Sequence, residues 1–393
     1  GFVNIHYNII FDLIEHPYFQ RLRRIKQLGL TDYVYPGALH TRFHHALGAM
    51  HLMTQAIEVL RSKGVDISNK EAKAVCIAIL LHDIGHGPFS HVLEHTLVNI
   101  HHEELSLLFM QELNKQFKGK LTLAIQIFKD EYPKKFLHQL VSGQLDMDRM
   151  DYLNRDSFFT GVYEGVIGYD RIIKMLSVKD ENLVVEYKGI YSIEKFLMAR
   201  RLMYWQVYLH KTVVSAEQML VKVLKRAKQL ANEKKKLCIP KNLAYFLYNC
   251  PNKPFSKKEQ RELLENFARL DDYDIYSALK SFSTIADFQL SFLSKSLLNR
   301  TLFKLEFSNT PFTSDYLEKV RQKVVRKFPI SQQSAEQLII IGQESNNVYT
   351  ISKEEILVLF KNGTITPMSA ISDFGLISKN ITKYYLCYPK NIF

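Results

Sequence analysis

His82 and Asp83 stand at the end of the apolar run Val75 to Leu81 and just before Gly85, so a helix buried along its length ends in an imidazole and a carboxylate. Burying such groups is costly unless each finds a partner, and a divalent metal ion would serve both. Upstream, Arg42-Phe43-His44-His45 opens another helix in a stretch that also holds His40. Downstream, LDMDRMDYLNRD carries Asp146, Asp148 and Asp151, more carboxylate than a buried helix tolerates without cations. Three segments thus offer nitrogen and oxygen ligands. Spacing leaves open His44 or His45 from the first, and Asp146, Asp148 or Asp151 from the third. Two imidazoles with two carboxylates suit Mn, Fe, Zn or Ni better than a thiolate-selective ion or calcium. Such a set leaves positions for water and a phosphate oxygen, and the ion would polarise a phosphoryl group and acidify the water.

Histidines continue at His86, His91, His95, His101 and His102, and an imidazole can protonate a leaving oxygen or hold a phosphate. On a helix, Asp148, Tyr152 and Asp156 step by four residues and share one stripe. Arg200, Tyr204, Tyr208 and Lys211 form a second stripe, within about 80° on a helical wheel. A ligand, a phenol and a second carboxylate of the first stripe would then face one cavity, while the two cations and two aromatics of the second read equally as residues snorkelling over a core edge.

The elements that must position these groups read as mainly α. From Asn8 to about Tyr163, apolar residues recur at three- and four-residue spacing, with breaks at Pro17, Pro36-Gly37, Gly64, Gly85 to Pro88 and Pro133. Leu183 to Tyr191 reads as a short hairpin around Lys188-Gly189, after which Ser192 can cap a helix. The absence of Gly and Pro from there to Pro240 predicts one very long helix or two in series. Helical texture runs to about Leu298. Beyond it, short β-type runs at Leu302 to Phe307, Gln337 to Gly342, Val348 to Ile351 and Tyr384 to Cys387 alternate with helix at Ser314 to Lys327. This gives a helical domain over 1–300 and a small α+β region over 301–393, with the boundary near Arg300.

The formal net charge of +12 implies attraction to anions such as polyphosphates or nucleic acid, without choosing among them. Four scattered cysteines suggest neither a disulfide framework nor a zinc ribbon and fit a reducing cytoplasm. No run of about 18 apolar residues and no signal-peptide layout is found, so a cytoplasmic protein without a membrane partner is expected.

Taken in order, RFHHALG, HDIGHGPFSH and DMDRMDYLNRDS resemble the signature of the HD superfamily. Within it, HPYFQRLRRIKQLGLTDYVYPGALHTRFHHALG is similar to the N-terminal part of the deoxynucleoside triphosphate triphosphohydrolases. The resemblance covers about residues 1 to 215, with a motif core over 17–215, and more thinly LNRTLFKLEF. It implies an HD-domain helical bundle and puts the metal ligands on His45, His82, Asp83 and Asp148. It implies a catalytic role for His91 with Glu94 orienting it, and makes His86 and His102 secondary candidates. Substrate contacts would fall on Gln27 and Leu28 at the sugar, Tyr152 and Asp156 at the phosphate and 3′-hydroxyl, and Tyr204 and Tyr208 beside them. Arg42, Arg149, Arg200 and Lys211 would hold the triphosphate, for which guanidinium forks are suited.

The expected reaction is hydrolysis of a deoxynucleoside triphosphate to deoxynucleoside and inorganic triphosphate, with Mg a further candidate ion accompanying the triphosphate. The alternatives are an HD phosphohydrolase or phosphodiesterase acting on another nucleotide or on single-stranded nucleic acid, and a non-catalytic nucleotide-binding regulator. The resemblance also implies a homo-oligomer and an activating nucleotide at Arg23, Arg300 and Lys304. Such proteins usually carry an Asp-Pro-x-His-Gly stretch near the start. The chain opens at what resembles its end, Gly1-Phe2, so a preceding piece is expected.

Overall fold

Apolar residues at helical spacing fold against one another through most of the chain, beginning with Ile10, Leu13 and Ile14 on α1 (Asn8–Glu15) and Phe19 on α2 (Pro17–Gln20). The computed structural model describes residues 3–89, 94, 96–249, 255–328, 330–346, 355–373 and 381–393. Three helices position the candidate ligands: α3 (Arg42–Ser62), α4 (Asn69–Leu81) and, beyond α5 (His102–Gln116), α6 (Thr122–Phe128) and α7 (Lys135–Val141), the helix α8 (Met147–Thr160). Helix α3 packs against both α4 and α8. Helix α4 is buried on every side from Ala74 to Leu81, the pattern of a central helix rather than an amphipathic one.

The predicted hairpin lies one element earlier than Lys188-Gly189. After α9 (Tyr169–Met175), β1 (Leu176–Lys179) and β2 (Asn182–Glu186) pair antiparallel around Asp180 and Glu181. Both turn residues have positive φ (51° and 60°), which two-residue hairpin loops require. Gly189 instead ends a 3₁₀ turn, and a Cβ there would sit 2.8 Å from the Met175 Cβ. The Gly signal was for close packing. Two helices in series follow, α10 (Ile190–Met203) and α11 (Lys211–Asn232), joined by a π-helical turn over Tyr204–Tyr208.

Helices α12 (Lys241–Tyr248), α13 (Lys257–Phe267), α14 (Asp272–Phe282) and α15 (Phe288–Leu298) complete the helical part. Beyond Arg300 come β3 (Lys304–Ser308), α16 (Ser314–Lys327), α17 (Gln332–Gln337), β4 (Ile340–Asn346), β5 (Leu357–Leu359), β6 (Ile365–Pro367) and β7 (Ile381–Tyr388). The expected run Val348 to Ile351 lies outside the described residues. Strand β7 is central to a three-stranded antiparallel sheet, β3-β7-β4. Strand β5 adds in parallel to β2, so C-terminal residues extend the earlier hairpin into a four-stranded sheet. The main apolar core accordingly runs from Ile10 to Cys387. Among the described residues no helix is long and apolar enough to cross a membrane.

Helix α4 is fixed at its start by a reciprocal cap: Glu71 N donates to Ser68 Oγ (3.2 Å) and Ser68 N to Glu71 Oε2 (2.7 Å). Tyr132 and Lys134 also donate to the Glu71 carboxylate. Burial would raise its pKa, but these bonds from Ser68, Tyr132 and Lys134 outweigh it and pull it down to about 2. The stabilisation is therefore present above the ordinary value of 4.5 and is lost as pH falls toward 2. Glu71→Gln should cost about 1–2 kcal/mol at neutral pH, the size of a lost cap. It should also flatten the decline of the thermal midpoint between pH about 4.5 and 2, followed by circular dichroism.

Candidate active site

Helix α3 presents His45 one residue inside its first turn, because its neighbour His44 is spent on the cap, where His44 Nδ1 accepts from Thr41 N (3.1 Å). His82 is the residue at which α4 ends, and Asp83 follows as the chain turns. Asp148 lies in the first turn of α8, which Asp146 caps by accepting from Arg149 N (2.7 Å). Geometry brings His45 and Asp148 to the His82-Asp83 pair, while His44 and Asp146 close helix ends and Asp151 bonds the far nitrogen of His45.

The four side chains converge. His45 Nε2 lies 3.4 Å from His82 Nε2, 3.1 Å from Asp148 Oδ1 and 3.8 Å from Asp83 Oδ2. His82 Nε2 lies 3.3 Å from Asp83 Oδ1 and 3.5 Å from Asp148 Oδ1. One ligand atom each from His45, His82 and Asp83 lie within 4.8 Å of one another, and Asp148 Oδ1 lies beside both imidazoles, so this nitrogen and oxygen set suits a divalent transition ion in its chemistry. Both His Nε2 atoms point inward because their Nδ1 atoms are occupied, His45 by Asp151 Oδ2 (2.8 Å) and His82 by the Ile79 carbonyl (2.6 Å).

The electrostatics express the same convergence. Burial would lower the His45 pKa, but hydrogen bonds to Asp148 and Asp151 push it up to about 10. His82 is also raised, chiefly by the Asp83 charge acting against burial. Asp83 is held well below its usual range against burial by His82, His86 and Arg42, the last donating to Oδ2 at 2.5 Å. Asp148 is depressed by its bonds from His45 and His82, again against burial.

A histidine row adjoins the donor set. His86 Nε2 sits 3.1 Å from Asp83 Oδ1, and its ring stacks on His102 at 4.0 Å. Burial and the nearby Arg42 hold His86 well below its ordinary pKa, so it is neutral at physiological pH. Glu94 Oε1 accepts from His102 Nδ1 (3.0 Å) and from His102 N (2.8 Å), and these bonds bring its carboxyl down to about 2 despite burial. Among the described residues Glu94 is therefore partnered with His102 and His101; His91, which was expected to receive it, lies outside the described residues.

On the other side, Tyr152 and Tyr208 meet edge to face at 6.1 Å, and Tyr208 Oη donates to Asp156 Oδ2 (2.8 Å). Tyr204 packs against Tyr208 at 5.3 Å. Arg149 and Arg200 both act electrostatically on Tyr152, and Arg200 donates to Gln144 Oε1 at 3.4 Å. Buried Nε atoms of Arg42, Arg149 and Arg200, and Oε1 of Gln27, have no hydrogen-bond partner among the described residues. Leu28 is partly buried against the core.

One expectation needs correction. Arg200, Tyr204, Tyr208 and Lys211 do not share one helical face, because the α-helix ends at Met203, widens into the π turn and breaks before Lys211. Lys211 is exposed at the first turn of α11. Arg23 lies over the Phe43 ring, Arg300 donates to the Tyr33 carbonyl and Lys304 pairs with Glu306.

Two contributors escaped sequence reasoning. His40 holds Asp156 (Nε2 to Oδ1, 2.7 Å) and stacks on Phe159, a contact that no local spacing announces. Arg155 grips both oxygens of Asp151, at 2.8 Å each, and its i,i+4 position on α8 is a signal that was there to read.

Residues 42–156 match the family model for the HD domain and residues 167–240 that for the HD associated region. The uncharacterized protein YwfO of Bacillus subtilis (strain 168) is 32% identical over 408 residues, covering 100% of this chain and 90% of its own length. A deoxynucleoside triphosphate triphosphohydrolase SAMHD1 homolog of Dictyostelium discoideum is 31% identical over 59% of this chain and 49% of its own. Among solved structures, a phosphohydrolase of Bacteroides thetaiotaomicron VPI-5482 superposes with a TM-score of 0.95 at 53% identity, over 99% of this chain and 98% of that one. A hypothetical protein of Aquifex aeolicus superposes with a TM-score of 0.75 at 28% identity, over 99% of this chain and 94% of its own.

A ligand that binds only the folded state raises the thermal midpoint by mass action. Mn²⁺ at a hundredfold excess over its dissociation constant should stabilise the chelator-treated protein by about 2.7 kcal/mol. Asp148→Ala should abolish that stabilisation and Glu94→Ala should retain it, as read by scanning calorimetry.

Proposed function

Because the chain belongs to the HD-domain family of metal-dependent phosphohydrolases, we propose that it hydrolyses deoxynucleoside triphosphates to the deoxynucleoside and inorganic triphosphate. The observation that carries this reading is the continuity of α8. Asp148 joins the donor set, Tyr152 follows one turn later beside Arg149 and Arg200, and Asp156 one turn further is bonded to Tyr208. The donor set, two guanidinium groups and a tyrosine–carboxylate pair thus follow one another along one helix. The resemblance to proteins named deoxynucleoside triphosphate triphosphohydrolases supports the same substrate class.

His45, His82, Asp83 and Asp148 would hold the ion, one of Mn, Fe, Zn or Ni, which when bound supplies Lewis-acid polarisation and an acidified water. The chain's own residues do the rest. Arg149 and Arg200 would neutralise the polyphosphate, with Arg42 at the base of the donor set and the exposed Lys211 as the remaining expected cation. Their buried guanidinium donors, fixed before substrate arrives, stabilise charge growing on phosphate oxygens.

Departure of the 5′-oxygen needs a proton. His91 carries that role on the resemblance, with His102 held by Glu94 and the neutral His86 as the described imidazoles beside the donor set. Gln27 and Asp156 would take the 3′-hydroxyl, and Leu28 with Tyr208 would pack on the sugar where a 2′-hydroxyl would be crowded and unpaired. Self-association and an activating nucleotide at Arg23, Arg300 and Lys304 belong to the same reading, and activation would show as sigmoidal kinetics.

The decisive experiment is product identification with each nucleotide and each ion. Free triphosphate and deoxynucleoside are expected. Pyrophosphate, a linear dinucleotide or shortened strands would replace this reaction by another of the class, and salt-sensitive binding without turnover would point to a regulator. Tyr208→Phe should raise KM for a deoxynucleotide roughly 5- to 30-fold by loss of one buried hydrogen bond near the sugar, with metal affinity unchanged.

A further inference from the structure

Gly48 sits within the body of α3, one turn beyond His45, where an interior glycine is disfavoured relative to alanine. Its backbone is not in the left-handed region, so conformation does not require glycine there. Space does. A Cβ on Gly48 would overlap Asp151 Oδ1 and Arg155 Nη2 and lie 2.8 Å from Asp151 Cγ. The Asp151 carboxylate and the Arg155 guanidinium therefore lie against the bare backbone of α3.

What they do there is directed at His45. Arg155 Nε and Nη2 donate to Asp151 Oδ2 and Oδ1, both at 2.8 Å, which fixes the carboxylate plane. Oδ2 also accepts from His45 Nδ1 at 2.8 Å. The His45 side chain is wholly buried, and those of Asp151 and Arg155 are only 8% and 22% exposed, so little solvent competes for these bonds.

We propose that Gly48 and Arg155 are positioning residues for the metal centre: the missing side chain at 48 admits an Arg155–Asp151 clamp that accepts from His45 Nδ1, keeping the ring proton there and turning Nε2 toward the other ligands. The proposal rests on the reading of His45 as a ligand. Losing a partner that orients a ligand typically weakens metal affinity by 10–100-fold. An alanine methyl would displace a side chain rather than backbone, so the protein should remain folded while the clamp is lost.

The test uses the full chain and two variants, Gly48→Ala and Arg155→Met. Mn²⁺ affinity is measured by chelator competition, the metal-free thermal midpoint by calorimetry, and the ligand field by the d–d absorption of the Co²⁺-loaded protein. Gly48→Ala should melt near the wild-type temperature without metal, bind Mn²⁺ 10–100-fold more weakly and show an altered Co²⁺ band. Arg155→Met should move affinity and band in the same direction. Wild-type affinity and band in folded Gly48→Ala would overturn the proposal; should that variant not fold, the same result in Arg155→Met would overturn it. Failure of the underlying reading looks different: His45→Ala would then bind Mn²⁺ as tightly as the wild type.

Discussion

Two imidazole nitrogens lie 3.4 Å apart, with the Asp83 and Asp148 carboxylates each 3.1–3.8 Å from them, in a region largely closed to water, and the neighbouring structure is arranged around that crowding. Charges in such a place interact far more strongly than at a surface. Each donor is therefore held from behind. Arg42 backs Asp83, the Ile79 carbonyl backs His82, and the Arg155–Asp151 pair backs His45. Asp148 has the most exposed side chain of the four, at 28%, and is the one for which only the two histidines pull the carboxyl downward among its main interactions. A divalent ion would offset both carboxylates and takes its imidazole ligands in the neutral form.

The supporting elements follow from this demand. A ligand set tolerates little play, and helices hold side chains more closely than loops do. Helix α4 is buried on all sides and capped at its start, so His82 at its end has a fixed origin. Helix α8 delivers Asp148 to the two imidazoles, Asp151 to the back of His45, and Tyr152 and Asp156 to Tyr208, using different faces of one rod. The π turn at Tyr204–Tyr208 adjusts the opposite wall, and its widened spacing brings Tyr208 onto Asp156 while Arg200 remains beside Tyr152.

Much of this was legible in the sequence where local chemistry and helical spacing agree. His82-Asp83 at the end of an apolar run, and the stepping of Asp148, Tyr152 and Asp156, are one-dimensional signals, and the bundle and the small C-terminal α+β region follow from periodicity. The hairpin was displaced because Gly189 is a stronger turn signal than Asp180-Glu181, although it serves packing against Met175. The stripe ending at Lys211 failed because a π turn changes the period without a Gly or Pro to mark it. His40 beneath Asp156 was invisible because it depends on two segments 116 residues apart.

The C-terminal residues take part in this support. Strand β5 extends the sheet that β2 begins, and β2 runs through the Tyr187–Gly189 turn into α10. Within α10, the buried Glu194 accepts from Ser372 Oγ (2.7 Å) and Asp373 N (3.1 Å), tying the helix to the C-terminal region six residues before Arg200. Lys63, at the end of α3, donates to Glu186 at the end of β2 and to the carbonyls of Lys174 and Leu176. The helix that carries His45 and the helix that carries Arg200 are thus fastened to one small sheet. The C-terminal region anchors the helices on which His45 and Arg200 stand.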